Sequence, residues 1–188
     1  AHISPKLLDR LDYFIAALKR RGIYVYFNLL GFRQFSREDG LPRAVPAQRS
    51  RAPIFNRRMV ELQKAYAREF LLHRNPYTRL RYVDDPAIAL VEINNEITLL
   101  NVFLGLREPY RTELKILWNE WLLRRYGDRG KLRAAWGDEL LNFEDPRRNT
   151  VWLPETEDYF APHPSKRVAD AIRFLCDLQT EYHRKMYR

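Results

Sequence analysis

The sequence predicts an α/β protein with a parallel sheet, and three observations carry that expectation. Two β-branched and aromatic runs of strand length, 23–29 and 87–94, are separated by a helical stretch. Both are nearly continuous in apolar residues, the pattern of strands buried on both faces, as in a parallel sheet. The order along the chain is helix, strand, helix, strand, helices, which is the order of βαβ units. Two strands alone neither cover these helices nor close a sheet. The 188 residues therefore read as a single fragment, 1–188, of a larger α/β domain.

Each element has its own signals. Ser4 suits the cap of a first helix over 4–21, Pro5 its first turn and Gly22 its exit. Leu7, Leu8, Leu11, Phe14, Ile15 and Leu18 recur at helical spacing and form one apolar face. Residues 31–54 hold two glycines and three prolines without a sustained period and predict a long irregular loop, a type often functional. A second helix is expected from about Asn56 to Leu72, with Met59, Leu62, Tyr66 and Phe70 on one side. Residues 110–126 place Leu114, Leu117, Trp118, Trp121 and Leu122 at helical spacing before Gly127, and a shorter piece runs to Trp136. Residues 137–164 read as irregular. Ser165 then caps a last helix with Val168, Ile172, Leu175, Tyr182 and Met186 on its face.

Composition excludes several classes. One cysteine, Cys176, excludes an internal disulfide framework and any multi-cysteine zinc site, and it is expected to be a buried or inert thiol. No apolar run is long enough to span a bilayer, so no membrane partner is expected. His2, His73, His163 and His183 show no metal-ligand spacing, so neither a metal nor another cofactor is implied. Lysine plus arginine total 33 against 24 acidic residues, a net charge of +9. Segment 33–81 holds twelve basic and four acidic residues, so +8 of that charge is local. A solvated outer face is the plainer reading. Nucleic acid is not expected as a partner, because neither an RNA-stacking signature nor a DNA-reading helix motif is present. Another possibility is that Arg33, Arg37 or Arg43 meets an acidic sugar.

The chemistry concentrates where strand 87–94 runs into Asn95-Glu96. The carboxyl end of a parallel strand is where α/β folds place their active sites. Strand alternation puts Glu92, Asn94 and Glu96 on a common face. A carboxyl group there can act as a general acid when burial or a neighbouring carboxylate raises its pKa. Asn95 can hold a sugar hydroxyl. The plainer alternative is that Glu96 caps the next helix or pairs with an arginine. A second Asn-Glu pair, Asn119-Glu120, lies inside an amphipathic helix, where Glu120 is expected to face solvent.

The run Asp85-Pro86-Ala87-Ile88-Ala89-Leu90-Val91-Glu92-Ile93-Asn94-Asn95-Glu96 resembles the fourth strand of clan A glycoside hydrolases, especially family 5-like cellulases and mannanases. Residues 8–25 look like the helix and third strand of the same barrels, and Asn75-Pro76-Tyr77-Thr78 is similar to the loop before the fourth strand. Segment 110–160, with Trp118-Asn119-Glu120-Trp121-Leu122 and Leu132-Arg133-Ala134-Ala135-Trp136, resembles a helical insertion after strand four. The resemblance implies a partial (β/α)8 TIM barrel spanning about strands three and four. It implies a retaining enzyme acting on a β-linked oligo- or polysaccharide, with Glu96 as acid/base and Asn95 orienting a substrate hydroxyl. Its nucleophile, at the end of a seventh strand, has no counterpart here, since Glu155, Glu157 and Asp158 lie in a proline-rich loop. The fragment alone is therefore expected to be inactive, with the remainder of the barrel as its partner. One departure stands out: Leu30 occupies the place where many relatives carry a histidine. Asn28 is expected to line the barrel mouth. Trp152 and Trp136, with Tyr159 and Phe160, are candidates for stacking on sugar rings. The competing class is a non-catalytic carbohydrate- or polyanion-binding module that uses the basic segment 33–81.

Overall fold

Strand β1 (Val25–Asn28) and a later strand of five residues, Ile88–Glu92, pair in parallel, with Tyr26 opposite Leu90 and Asn28 opposite Glu92. This is a computed structural model, and it describes residues 3–31, 33–46 and 49–187. The element order is α1 (Pro5–Lys19), β1, β2 (Gln34–Phe35), β3 (Val45–Pro46), α2 (Ala52–Phe55), α3 (Arg57–Leu72), β4 (Ile88–Glu92), α4 (Tyr110–Tyr126), α5 (Arg129–Trp136) and α6 (Lys166–Met186), with short 3-10 turns between them. The expected helix, strand, helix, strand order and the parallel pairing are present.

The chain divides into two compact units, Ala1–Ala47 with Arg58–Glu96, and Gln48–Arg57 with Ile97–Arg188. The sequence treats 1–188 as one fragment with an insertion at 110–160; the second unit begins earlier, at Ile97, and takes in α2.

In the first unit, one face of the β1–β4 pair carries the core. Ile15 of α1, Phe27 and Leu29, Phe70 of α3 and Tyr82 form it. The rings of Phe27, Phe70 and Tyr82 meet at centroid distances of 4.9–5.2 Å, within the range of favourable aromatic contacts. Asp12 of α1 is buried against this core. It accepts hydrogen bonds from Tyr82 Oη at 2.6 Å and from His73 at 2.8 Å, which ties α1 to the end of α3. Lys19 reaches buried Asp85 at 2.8 Å and thereby fixes the entry to β4.

Several expectations need correction. The strands are not buried on both faces: Tyr26 is 53% and Leu90 57% exposed. These two residues mark the face opposite Phe27, which no element among the described residues buries. Helix α1 buries Asp12, Ile15 and Ala16, while Leu7 and Phe14 are exposed, because the core meets a narrower stripe than the apolar periodicity offers. Ser4 occupies the N-cap position of α1, but its side chain makes no capping bond. The stretch 31–54 is not wholly irregular. It contains the antiparallel pair β2–β3, a 3-10 turn at Arg37–Asp39 and the short helix α2.

In the second unit, α4, α5 and α6 pack around an aromatic cluster. Trp118 stacks on Trp121 at 5.5 Å and on Trp136 at 6.0 Å, and Phe174 closes it at 5.2 Å from Trp118. Asp128 caps α5 by accepting from Lys131 N at 2.9 Å. Ser165 caps α6 as expected, accepting from Val168 N at 3.3 Å. Buried Asp170 binds Trp136 Nε1 at 2.9 Å, Arg125 at 3.2 Å and the Tyr126 hydroxyl, joining the three helices.

Candidate functional site

The carboxyl ends of β1 and β4 gather a polar cluster on the sheet face that the core does not use. Alternation along β1 puts Tyr26 and Asn28 on one face, opposite in sense to Phe27. Glu92 lies beside Asn28 in the parallel register, and both donors aim at one carboxylate oxygen. Asn28 Nδ2 donates to Glu92 Oε2 at 2.5 Å, and the Tyr26 hydroxyl donates to the same oxygen. That bond to the Glu92 carboxylate holds the Tyr26 phenol above its ordinary pKa, because losing the proton would set two negative oxygens together. Among the described residues nothing donates to Glu92 Oε1.

The other end of Asn28 shapes the chain. Its Oδ1 accepts from Leu30 N at 3.1 Å and Gly31 N at 2.6 Å, turning the backbone sharply after β1. A β-carbon at position 31 would lie 3.3 Å from that oxygen, so glycine suits the turn. The Asn28 side chain is therefore fixed by three partner atoms. Leu30, at the place of the absent histidine, is buried.

β4 ends at Glu92, and the chain bends before Asn95 and Glu96, both of which are exposed. The common face expected for Glu92, Asn94 and Glu96 does not form, because strand alternation stops at Glu92. Glu96 adopts φ +51°, a left-handed conformation uncommon outside glycine. Such backbone costs about 1–3 kcal/mol and tends to occur where it serves a site. Just before it, Asn94 Nδ2 is buried without a hydrogen-bond partner among the described residues.

The aromatic candidates separate. Trp136 is 3% exposed, stacked on Trp118 and bonded to Asp170, so it has no free face for a sugar. This corrects its expected role. Tyr159 is also buried, and burial raises its phenol pKa, whereas Phe160 is exposed. Trp152 is 58% exposed and borders a groove of about 260 Å³ in the second unit. Its backbone is held from beneath by fully buried Glu144, which accepts from Trp152 N at 3.0 Å, and by Arg167, which donates to Trp152 O at 2.5 Å.

Trp118 and Trp121, whose helical spacing in the sequence is that of a core face, are buried packing residues. Glu120 faces solvent beside Arg124 at 3.9 Å, while Asn119 is buried and bonds Val151 through both its carbonyl and its amide. Glu155 and Glu157 are exposed in their loop. Of the two alternatives for Cys176, a buried or an inert thiol, burial is excluded: it is exposed, because α6 turns its 171, 174 and 175 face to the core. His163 is exposed, His183 bonds the Gln179 carbonyl within α6 at 2.8 Å, and His2 lies outside the described residues. Among the described residues no group of three or more His, Cys, Asp or Glu could hold a metal ion, and no helix is long and apolar enough to cross a membrane.

Part of the basic segment has structural work. Arg51 is buried and donates to Thr98 O at 3.0 Å, Arg58 donates to Asp39 O at 2.9 Å, and Arg81 pairs with Asp84 at 2.5 Å. Arg33 lies between the Phe35 and Tyr66 rings, 5.0 Å from each, and burial lowers its pKa.

No family model, curated protein or solved structure matches the chain. The functional reading therefore rests on residues and geometry. The pairing of Tyr26 with Glu92 was missed by sequence reasoning. The available signal was the i, i+2 spacing of Tyr26 and Asn28 on one strand, but the register that brings Glu92 beside them is not written locally.

Proposed function

We propose that this chain supplies the acid/base half of a retaining glycoside hydrolase of the family 5-like, clan A kind, built on a (β/α)8 barrel. One observation carries the reading. Helices α1 and α3 contribute to the core on one face of the parallel β1–β4 pair, while the opposite face is bare and bears Tyr26, Asn28, Leu90 and Glu92. In a barrel the helices lie outside and such a face points inward, with catalytic groups at the carboxyl ends of the strands. The left-handed turn at Glu96, just past the end of β4, fits a residue positioned for chemistry.

In this reading Glu96 protonates the glycosidic oxygen as the leaving group departs. It then takes a proton from the water that hydrolyses the glycosyl-enzyme. The nucleophile is a second carboxylate roughly 5–5.5 Å away, carried by another part of a longer protein. Asn95 orients a hydroxyl of the sugar next to the scissile bond. Asn28 and Tyr26 hold Glu92 as a fixed carboxylate on the floor of the site. The substrate is a β-linked glycan.

The test is Glu96→Gln in the longer protein with β-glucan and β-mannan substrates. Hydrolysis should fall by at least 10³-fold, with partial recovery on aryl glycosides whose leaving groups need no protonation. Undiminished hydrolysis of the natural glycan would sink the assignment. The second reading, a non-catalytic carbohydrate-binding module, is favoured by exposed Trp152 and predicts glycan binding without turnover in wild type and variant alike.

A further inference from the structure

We infer that the Trp152 groove is a binding subsite for one anionic sugar ring, a uronate or a sulfated pyranose. This deepens the glycan reading above by naming a substrate class, and the geometry lies wholly within the second unit. The groove is lined by Phe103, Glu108, Arg111, Lys115, Trp152 and Glu155 among others, and its volume is about 260 Å³. Sites for drug-sized ligands run about 300–1,000 Å³, so this one suits a single ring better than a chain.

The groove presents its aromatic surface on a fixed base. Trp152 is held through its backbone by the buried Glu144–Arg167 pair, yet its indole is left in solvent. An exposed tryptophan on a rigid backbone offers a flat apolar face at small entropic cost, and the apolar face of a pyranose matches it.

The charges give the sign. Glu108 is engaged by Thr112, whose hydroxyl donates to it at 2.8 Å and whose amide lies at 3.3 Å. Glu155 faces Arg111 at 4.0 Å, and Arg111 lies over the Phe103 ring at 5.3 Å. Lys115 differs from these. Its ammonium sits 4.8 Å over the Trp152 ring, and among the described residues no carboxylate lies within ion-pair distance of it. Of the two lining cations, Arg111 faces Glu155, whereas Lys115 has no carboxylate within ion-pair distance among the described residues, and it is Lys115 that is held at the stacking surface. A sugar laid on Trp152 would bring a ring carboxylate or sulfate to this ammonium.

The experiment is titration of the 188-residue chain, followed by calorimetry and tryptophan fluorescence, with methyl glucuronide, glucose 6-sulfate and neutral methyl glucoside. The anionic sugars should bind at least about 10-fold more tightly than the neutral one, with an advantage that shrinks as salt rises. Lys115→Gln should erase that advantage, and Trp152→Ala should weaken all three. Both side chains are at least partly solvated, and circular dichroism checks that the variants fold. The glucuronide and sulfate arms decide which anion is preferred. Equal binding of charged and neutral sugars, or anion preference unchanged in Lys115→Gln, would overturn the inference. Glu96→Gln should leave this binding unchanged, so loss of the hydrolase reading and loss of this subsite are separately visible.

Discussion

Asn28 and Glu92 are partners across the parallel β1–β4 pair, joined by a 2.5 Å bond from the Asn28 amide to the Glu92 carboxylate. The same oxygen accepts a hydrogen bond from the Tyr26 hydroxyl, so one carboxylate gathers two donors from the neighbouring strand. The raised Tyr26 pKa is the measurable sign. Glu92→Gln keeps an acceptor but removes the charge, so the Tyr26 phenol should titrate closer to its ordinary value, read by carbon NMR of labelled tyrosine with Tyr26→Phe to assign the signal. A raised phenol pKa gives stability that is complete below the ordinary tyrosine range. That stability is lost as pH rises through the folded value. An unchanged Tyr26 titration in Glu92→Gln would show that the carboxylate is not the cause.

Glu96 has φ +51°, where glycine is at ease and other residues are not. Glu96→Gly should therefore be more stable than Glu96→Ala by about 1 kcal/mol, measured by urea denaturation. On the proposed glycosidase reading, both variants should also abolish hydrolysis in a chain that carries the nucleophile. Equal stability of the two would mean that the turn carries no strain.

The sequence reading succeeded where signals are local. Ser165, the helical spacing of Trp118, Trp121 and Leu122, and the apolar run 87–94 each announce an element without knowledge of its neighbours, although the strand itself stops at Glu92. It failed where partners decide. The apolar run 87–94 implies two covered faces, but cover comes from other elements, and here Leu90 has none. Trp136 and Trp152 are both candidates by sequence, with Trp152 the better one for its place in a loop between prolines. Asp170 and Trp118 claim the first, while Glu144 and Arg167 hold the backbone of the second and leave its ring free. The fate of Glu92 depended on a strand register that neither strand encodes by itself.

Glu144 and Arg167 form a buried pair, with guanidinium contacts of 2.7 and 3.0 Å, and Glu144 also accepts from Leu141 N at 2.9 Å and Trp152 N at 3.0 Å. Burial alone would raise the Glu144 pKa, but Arg167 and the two amides more than offset it and hold the group below the usual carboxylate range. A depressed carboxylate stabilises the fold above its unfolded pKa and loses that contribution as pH falls through the folded value. Glu144→Ala leaves the Arg167 charge buried without its partner and should cost about 3–5 kcal/mol at neutral pH. The variant should also show a flatter acid dependence. Denaturant titrations from neutral to acidic pH check both, and a loss under 1 kcal/mol would contradict the role given to this pair.

Tyr26 and Leu90 are register partners, and both are more than half exposed on the bare face of the sheet. An exposed apolar strand surface promotes association with other chains. In the 188-residue chain, Leu90→Lys should change unfolding free energy by no more than about 0.5 kcal/mol, as exposed substitutions usually do. It should also reduce self-association in light scattering. In the longer protein the barrel reading makes the same position interior. There the substitution buries an ammonium beside apolar neighbours and should be strongly destabilising. The contrast between the two chains is the measurement. Equal tolerance in both would mean that no further layer covers Leu90, and the barrel reading would fail with it.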